Sequence, residues 1–278
     1  MDYIEVSISN FGDFDPEIVM AEMAELGFES FSEAENAIQG FIREDIYQED
    51  AIVDYLEKKH DETGITYTIQ KIQAQNWNAL WESGYEPVTV AGKCRIRAPF
   101  HAPLAGIQYE IVIEPKMSFG TGHHETTSLM LELLMMEDVE GKRVLDLGCG
   151  TGVLAILAYK MRASRVVAVD NDEWAYINAC ENIKKNDAGA INVIRGDVSA
   201  VPPPEYDLIL ANINRNVLLT DISTYARFLN PSGILLMSGF YIQDIDQIKA
   251  ASVLAGLEYI SHKEENQWAG TKFMKCEN

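Results

Sequence analysis

Arg143-Val144-Leu145-Asp146-Leu147-Gly148-Cys149-Gly150-Thr151-Gly152, followed by Val153 to Met161, decides the fold. An apolar run interrupted by one acid reads as a buried strand. Three glycines at alternate positions then make a sharp turn. Glycine tolerates left-handed backbone and lets a ligand lie against the chain. The apolar stretch behind it reads as a helix. Its N-terminus offers free N–H groups that favour an anion such as a carboxylate.

The turn belongs to nucleotide-like ligands, and three features narrow it further. Its spacing is G-x-G-x-G, whereas the dinucleotide fingerprint is G-x-G-x-x-G. Asp146, two residues before the first glycine, is expected to face a charged amino group on the ligand. Asp170 ends the next strand, Val166-Val167-Ala168-Val169-Asp170, where an acid takes both hydroxyls of a ribose. Together these describe a site for a nucleoside with an amino-acid tail, S-adenosylmethionine. Asp197 closes a third strand and is either a partner for the adenine amino group or a plain turn acid.

Working outward, strands and helices alternate from Lys142 onward. Strands are expected at Arg143 to Leu147, Arg165 to Asp170, Ile191 to Arg195, Tyr206 to Ala211 and Ile234 to Ser238. That alternation argues for a mostly parallel sheet with helices on both faces, a Rossmann-like α/β domain. Glu258 to His262 and Thr271 to Lys275 are expected to close the sheet edge as a hairpin. The strand Asp207 to Ala211 ends in Asn212. Ligands in such sheets sit at the carboxyl ends of strands, so Asn212 is the candidate catalytic residue. Its amide oxygen accepts a hydrogen bond from an amine. The alternative role is a helix N-cap.

Upstream, a smaller α+β domain is expected over residues 1–74. Tyr3 to Ser9 alternates as a half-buried strand, and Asp15-Pro16 opens a helix that stops at Gly27. Strands follow at Phe28 to Glu33 and Ala37 to Ile42, then a helix at Asp50 to His60 and a strand at Ile65 to Ile72. The order β-α-β-β-α-β is that of the ferredoxin-like fold. Residues 75–92 form the expected linker, a short helix with Trp77 and Trp81 on one face and Pro87 at its end. The main domain then spans 93–278, with earlier strands at Cys94 to Ala98 and Tyr109 to Ile113 and a helix at Thr126 to Met136.

Bulk properties bound the function. The net charge of −21 on 278 residues repels phosphate and disfavours direct nucleic-acid binding. It either keeps the protein soluble or attracts a basic partner. The four cysteines form no CxxC pair and suit a reducing, cytoplasmic compartment. Met1 to Asn10 carries no basic region before an apolar run, so no secretory signal is expected. No stretch reaches the roughly 18 apolar residues of a membrane span. His123 and His124 lack HExxH spacing, because position 128 is Ser128, so no metal is expected.

The segment Phe119-Gly120-Thr121-Gly122-His123-His124-Glu125-Thr126-Thr127 reads as a loop over the cofactor, with a threonine hydroxyl near its carboxylate. This segment, the turn Asp146 to Gly152, Ala211-Asn212-Ile213, the tryptophan linker and the small first domain resemble the ribosomal protein L-eleven methyltransferase family (PrmA). The resemblance covers essentially the whole chain. It implies a ferredoxin-like domain that recognises the substrate and a seven-stranded methyltransferase domain. It also implies methylation of lysine side chains and the N-terminal amine of a large-subunit ribosomal protein; from the acidic charge that substrate is expected to be basic, and the enzyme is expected to be a monomer. The implied cofactor positions are Thr127, Gly148, Asp170 and Asn212, to which the glycine turn adds Gly150. Asn214-Arg215 departs from the usual family pattern and bears on the shape of the substrate entrance, and the stretch Trp268 to Lys272 is less apolar than is usual for the family. The alternative is a methyltransferase of the same cofactor acting on another protein or a small molecule.

Overall fold

The computed structural model describes residues 2–11, 15–34, 37–72, 84–116, 118–201 and 205–277. Trp77, Trp81 and residues 75–83 of the expected linker helix lie outside them. The chain divides into two compact units, Met1–Gly84 and Tyr85–Asn278.

The first unit runs β1 (Tyr3–Ser9), α1 (Pro16–Glu25), β2 (Ser30–Ala34), β3 (Ala37–Arg43), α2 (Glu49–Thr63) and β4 (Thr66–Ile72). Asp15 caps α1 by accepting a hydrogen bond from Glu17 N at 2.9 Å, with Pro16 in the first turn. Gly64 ends α2 in the left-handed region, at φ 78°. The sheet order is β2-β3-β1-β4, and every neighbouring pair is antiparallel. Ile4, Val6 and Ile8 alternate along β1 and bury one face against Val19, Met23, Ile52 and Leu56 of the two helices.

The second unit opens with a three-stranded sheet, β5 (Val88–Val90), β6 (Cys94–Arg97) and β7 (Tyr109–Val112). The C-terminal part of the 75–92 segment is therefore strand, not helix. Val88 and Val90 are β-branched and pair with Ile96 and Cys94. Next come α3 (Glu125–Met135), β8 (Arg143–Leu147), α4 (Val153–Lys160), β9 (Arg165–Asp170), α5 (Glu173–Lys185), β10 (Asn192–Arg195) and β11 (Tyr206–Asn212). The chain ends with α6 (Arg215–Phe228), β12 (Leu229–Tyr241), α7 (Ile245–Leu254), β13 (Leu257–Glu265) and β14 (Trp268–Lys275).

These last seven strands form one sheet in the order β10-β9-β8-β11-β12-β14-β13. The five strands β10 to β12 are parallel, and β14 runs antiparallel between β12 and β13. The expected closing hairpin is present, but its second strand inserts beside β12 and leaves β13 at the edge. Alternation sorts the core into two layers. Val144, Ala168, Leu208 and Leu210 face the layer of α3, α4 and α5. Leu145, Val167, Val169 and Ile209 face α6 and α7.

Successive strands run outward from β8 in one direction through β9 and β10, and in the other through β11 and β12. The reversal lies between β8 and β11. Such a switch point opens a crevice at the strands' carboxyl ends, where ligands bind. Here those ends carry Gly148 and Asn212.

Candidate functional site

The turn after β8 is held by backbone hydrogen bonds on every side. Cys149 N donates to Val169 O at 3.0 Å, and Gly152 N to Cys149 O at 2.8 Å. Gly150 N donates to Asp170 Oδ2 at 2.8 Å, while Asp170 Oδ1 accepts from Asp172 N at 3.0 Å. A carboxylate has about four acceptor directions, so Asp170 keeps capacity for a diol. Two glycines are required by contact. A Cβ on Gly150, at φ 53°, would meet Phe119 O at 2.3 Å. One on Gly239, at φ 95°, would meet Ile213 O at 2.2 Å.

The segment before α3 is stitched to this turn. Thr151 N donates to Phe119 O at 2.9 Å, and Thr151 Oγ1 to Gly120 O at 2.6 Å. Three asparagines at four-residue spacing, two on α5 and Asn186 at its C-cap, hold the same region from behind. Asn182 donates to Thr151 O at 2.9 Å and accepts from Glu114 N at 2.8 Å. Asn186 exchanges two hydrogen bonds with the Val112 backbone, and Asn178 donates to Glu114 O.

These elements enclose a cleft of about 1070 Å³. Gly148, Gly150, Asp170 and Asn212 all line it, as do Ile213, Asn214 and Gly239 beside β11 and β12. Phe119 lines it from the loop, and His124 and Thr126 from the start of α3. Trp174, Ile177 and Glu181 line it from α5, and Trp268 from β14. Sequence reasoning missed Trp174, Ile177, Gly239 and Trp268. They come from segments far apart in the chain, and no local pattern marks them. Trp268 stacks on Tyr241 at 4.1 Å between ring centres and meets His124 edge-on at 4.8 Å.

Several expectations are refined. Asp146 does not line the cleft: it is buried, and its Oδ2 accepts from Ala155 N in the first turn of α4 at 3.1 Å. Burial first, then nearby Asp170, pushes its carboxyl up to about 8 against the pull of that bond. Asp197 behaves as a turn acid. It accepts from Ser199 N at 2.8 Å and Ser199 Oγ at 2.6 Å, and these bonds hold its carboxyl below the ordinary range. The cap of α6 is Asn214, which accepts from Val217 N at 3.2 Å, so Asn212 is free of that role. Arg215 turns to Asp244 at 2.7 Å. His123 Nε2 lies 3.0 Å from Glu86 O, while His124 Nδ1 caps α3 through Thr126 N at 3.2 Å. The adjacent histidines therefore serve different neighbours.

Asn212 Oδ1, on the cleft wall, is buried without a hydrogen-bond partner among the described residues; Thr127 Oγ1 in α3 and Asp146 Oδ1 are also unpartnered, but neither residue lines the cleft. Buried polar atoms are nearly always paired, so unpaired ones call for a ligand or solvent. Gly148, Gly150 and Gly152 all adopt positive φ, which lets the turn close against Ile213, Phe119 and Ala179, and the N-terminus of α4 favours a ligand's carboxylate. The donor set fits S-adenosylmethionine.

A seven-stranded sheet of this order, with this glycine turn at its switch point and Asp170 ending the adjacent strand, defines an S-adenosylmethionine-dependent methyltransferase. A solved methyltransferase from Pyrococcus furiosus shares the fold, at TM-score 0.52 and 17% identity over 60% of this chain and 90% of that one. The ribosomal protein L11 methylase from Lactobacillus delbrueckii subsp. bulgaricus superposes at TM-score 0.65 with 26% identity, covering 69% of this chain and 100% of that chain. Residues 12–275 match the family described as Ribosomal protein L11 methyltransferase (PrmA). Relatives named ribosomal protein L11 methyltransferase include one from Phocaeicola vulgatus, 40% identical over 99% of both chains. Another, from Porphyromonas gingivalis, is 43% identical over 92% of this chain and 90% of its own length. The chain belongs to the ribosomal protein L11 methyltransferase family. No helix among the described residues is long and apolar enough to cross a membrane.

Proposed function

We propose that the protein transfers methyl groups from S-adenosylmethionine to amino groups of ribosomal protein L11, on lysine side chains and the N-terminal amine. The observation that carries this reading is Asn212 Oδ1, buried and unpartnered at the β11 end of the cleft. A buried acceptor at that position suits an incoming N–H. The names of the full-length relatives support the choice of substrate.

In this reading Gly148, Gly150 and the first turn of α4 receive the cofactor's amino-acid end, with Thr127 offering its hydroxyl. Asp170 takes the ribose hydroxyls. When bound, the sulfonium supplies an electrophilic methyl and a positive charge. Asn212 accepts one N–H of the amine and points the nitrogen's lone pair along the line of transfer. An amine is mostly protonated at pH 7. A nearby positive charge and partial exclusion of water both lower its pKa and release the proton to solvent. No strong base is needed. Positioning supplies up to roughly 7–11 kcal/mol of barrier reduction.

The small unit, residues 1–74 of the expected division, serves substrate recognition. The net charge of −21 draws a basic protein and disfavours nucleic-acid contact. The enzyme acts in the cytoplasm as a monomer. The test is incubation with methyl-labelled S-adenosylmethionine and free L11, followed by intact mass and mapping of the modified amines. Absence of label on L11 would overturn the substrate assignment.

A further inference from the structure

Trp174 is 76% exposed, an unusual state for the largest apolar side chain. It is no isolated surface tryptophan, because it lines the cleft that holds Gly148, Gly150 and Asp170. Ile177, one helical turn further along α5, lines the same cleft and is 38% exposed. Across the cleft the loop presents Phe119, itself 51% exposed. Lys116 pairs with Glu181 and ties that loop to α5 beyond Ile177.

The helix cannot rotate to bury the indole. Its other face buries Ala175, Asn178, Ala179, Asn182 and Ile183. Its start is fixed by Asp172, which accepts from Ala175 N at 2.8 Å and donates its own N–H to Asp170 at 3.0 Å. The acid that receives the ribose is thus linked rigidly to the turn bearing Trp174. Asp170 and Trp174 stand four residues apart and line the same cleft, so a base attached to a ribose on Asp170 is within reach of the indole. A purine is a flat aromatic ring that stacks well on an indole, and stacking tolerates any base edge.

We propose that Trp174 is a cofactor-binding residue whose indole packs against the purine of S-adenosylmethionine, with Ile177 extending the same apolar surface. The inference rests on reading the cleft as the cofactor site. It assigns the base to the α5 side of the cleft and gives no role in that contact to Asp197, which its own turn occupies.

The test uses the full chain and two probes, S-adenosylhomocysteine and adenosine, titrated by calorimetry. Trp174→Ala is expected to weaken both by a similar factor, roughly tenfold or more, since both carry the purine. Trp174→Phe, which retains a ring, is expected to stay within about threefold of the native protein. Thermal melting of both variants should match the native protein, because the exposed indole supports little of the core. Unchanged affinity of Trp174→Ala for both probes overturns the inference while leaving the cofactor site intact. A raised KM for L11 with unchanged probe affinity also overturns it, and assigns the indole to protein docking. Failure of the native protein to bind S-adenosylhomocysteine overturns the cofactor reading itself, and this inference with it.

Discussion

Asp146→Asn separates a buried acid's electrostatic cost from its structural role. Asp146 is fully enclosed, accepts one hydrogen bond from Ala155 N and has its other oxygen unpartnered. Its carboxyl stands at about 8 in the fold, against roughly 3.9 in an unfolded chain. A group whose folded pKa is raised stabilises the fold fully below the unfolded value and loses that contribution as pH climbs to the folded value. Between about pH 4 and pH 8 folding therefore takes up a proton at this site, and stability falls by roughly 1.4 kcal/mol per pH unit. Over the whole window the loss is on the order of 5 kcal/mol, levelling off above pH 8. The amide of Asp146→Asn is isosteric, still accepts from Ala155 N and does not titrate. Its stability advantage over the native protein should widen steadily from pH 4 to 8 and then stay flat. Carboxylates held low by cations, such as Glu22 through Lys59 and Asp45 through Arg43, act equally in both proteins and cancel in the difference. Urea unfolding of the cofactor-free proteins at unit intervals from pH 5 to 9 reads that difference. A gap that does not change with pH would refute the argument.

Asp170→Ala should weaken S-adenosylhomocysteine binding by roughly 1–3 kcal/mol through lost hydroxyl contacts, and unchanged calorimetric affinity would remove its ribose role. Asn212→Ala removes a buried Oδ1 that accepts no hydrogen bond among the described residues. Melting should therefore hold while single-turnover methyl transfer falls by about 10²-fold, the scale of losing one positioned polar group. Asn182→Ala strands Thr151 O and Glu114 N in the interior, and should cost about 2–4 kcal/mol in chemical denaturation. Gly239→Ala forces a Cβ to within 2.2 Å of Ile213 O at a positive φ. Folded protein is expected to lose about 2 kcal/mol or more and to place Asn212 wrongly, visible as a fall in kcat.

Much of the architecture follows from local chemistry. The bounds of Arg143–Leu147 and Arg165–Asp170 are legible in the residues because both strands are buried on two faces. A run of apolar residues bounded by glycine and aspartate leaves little choice. The six elements of the small unit emerge from alternation, an N-cap and a glycine stop. At three residues β5 is too short to give a periodic signal, and Asn230, Pro231 and Gly233 imitate a loop at the start of β12. The linker tryptophans lie outside the described residues.

The candidate site divides along the same line. Backbone demands can be read from residue type alone, so the glycine turn, Asp170 and the polar end of β11 were found in the sequence. Neighbourhood cannot. Whether Asn212 or Asn214 caps α6, whether Asp146 meets ligand or interior, and which exposed tryptophan joins the cleft all depend on long-range packing. Residue type and periodicity alone specify a glycine-turned α/β chain suited to a nucleoside carrying an amino acid. Only the tertiary structure brought Trp174, Gly239 and Trp268 to one crevice and sealed Asp146 behind it. The reason is physical: periodicity records which face of an element is buried, while strand order and helix docking decide what lies against that face.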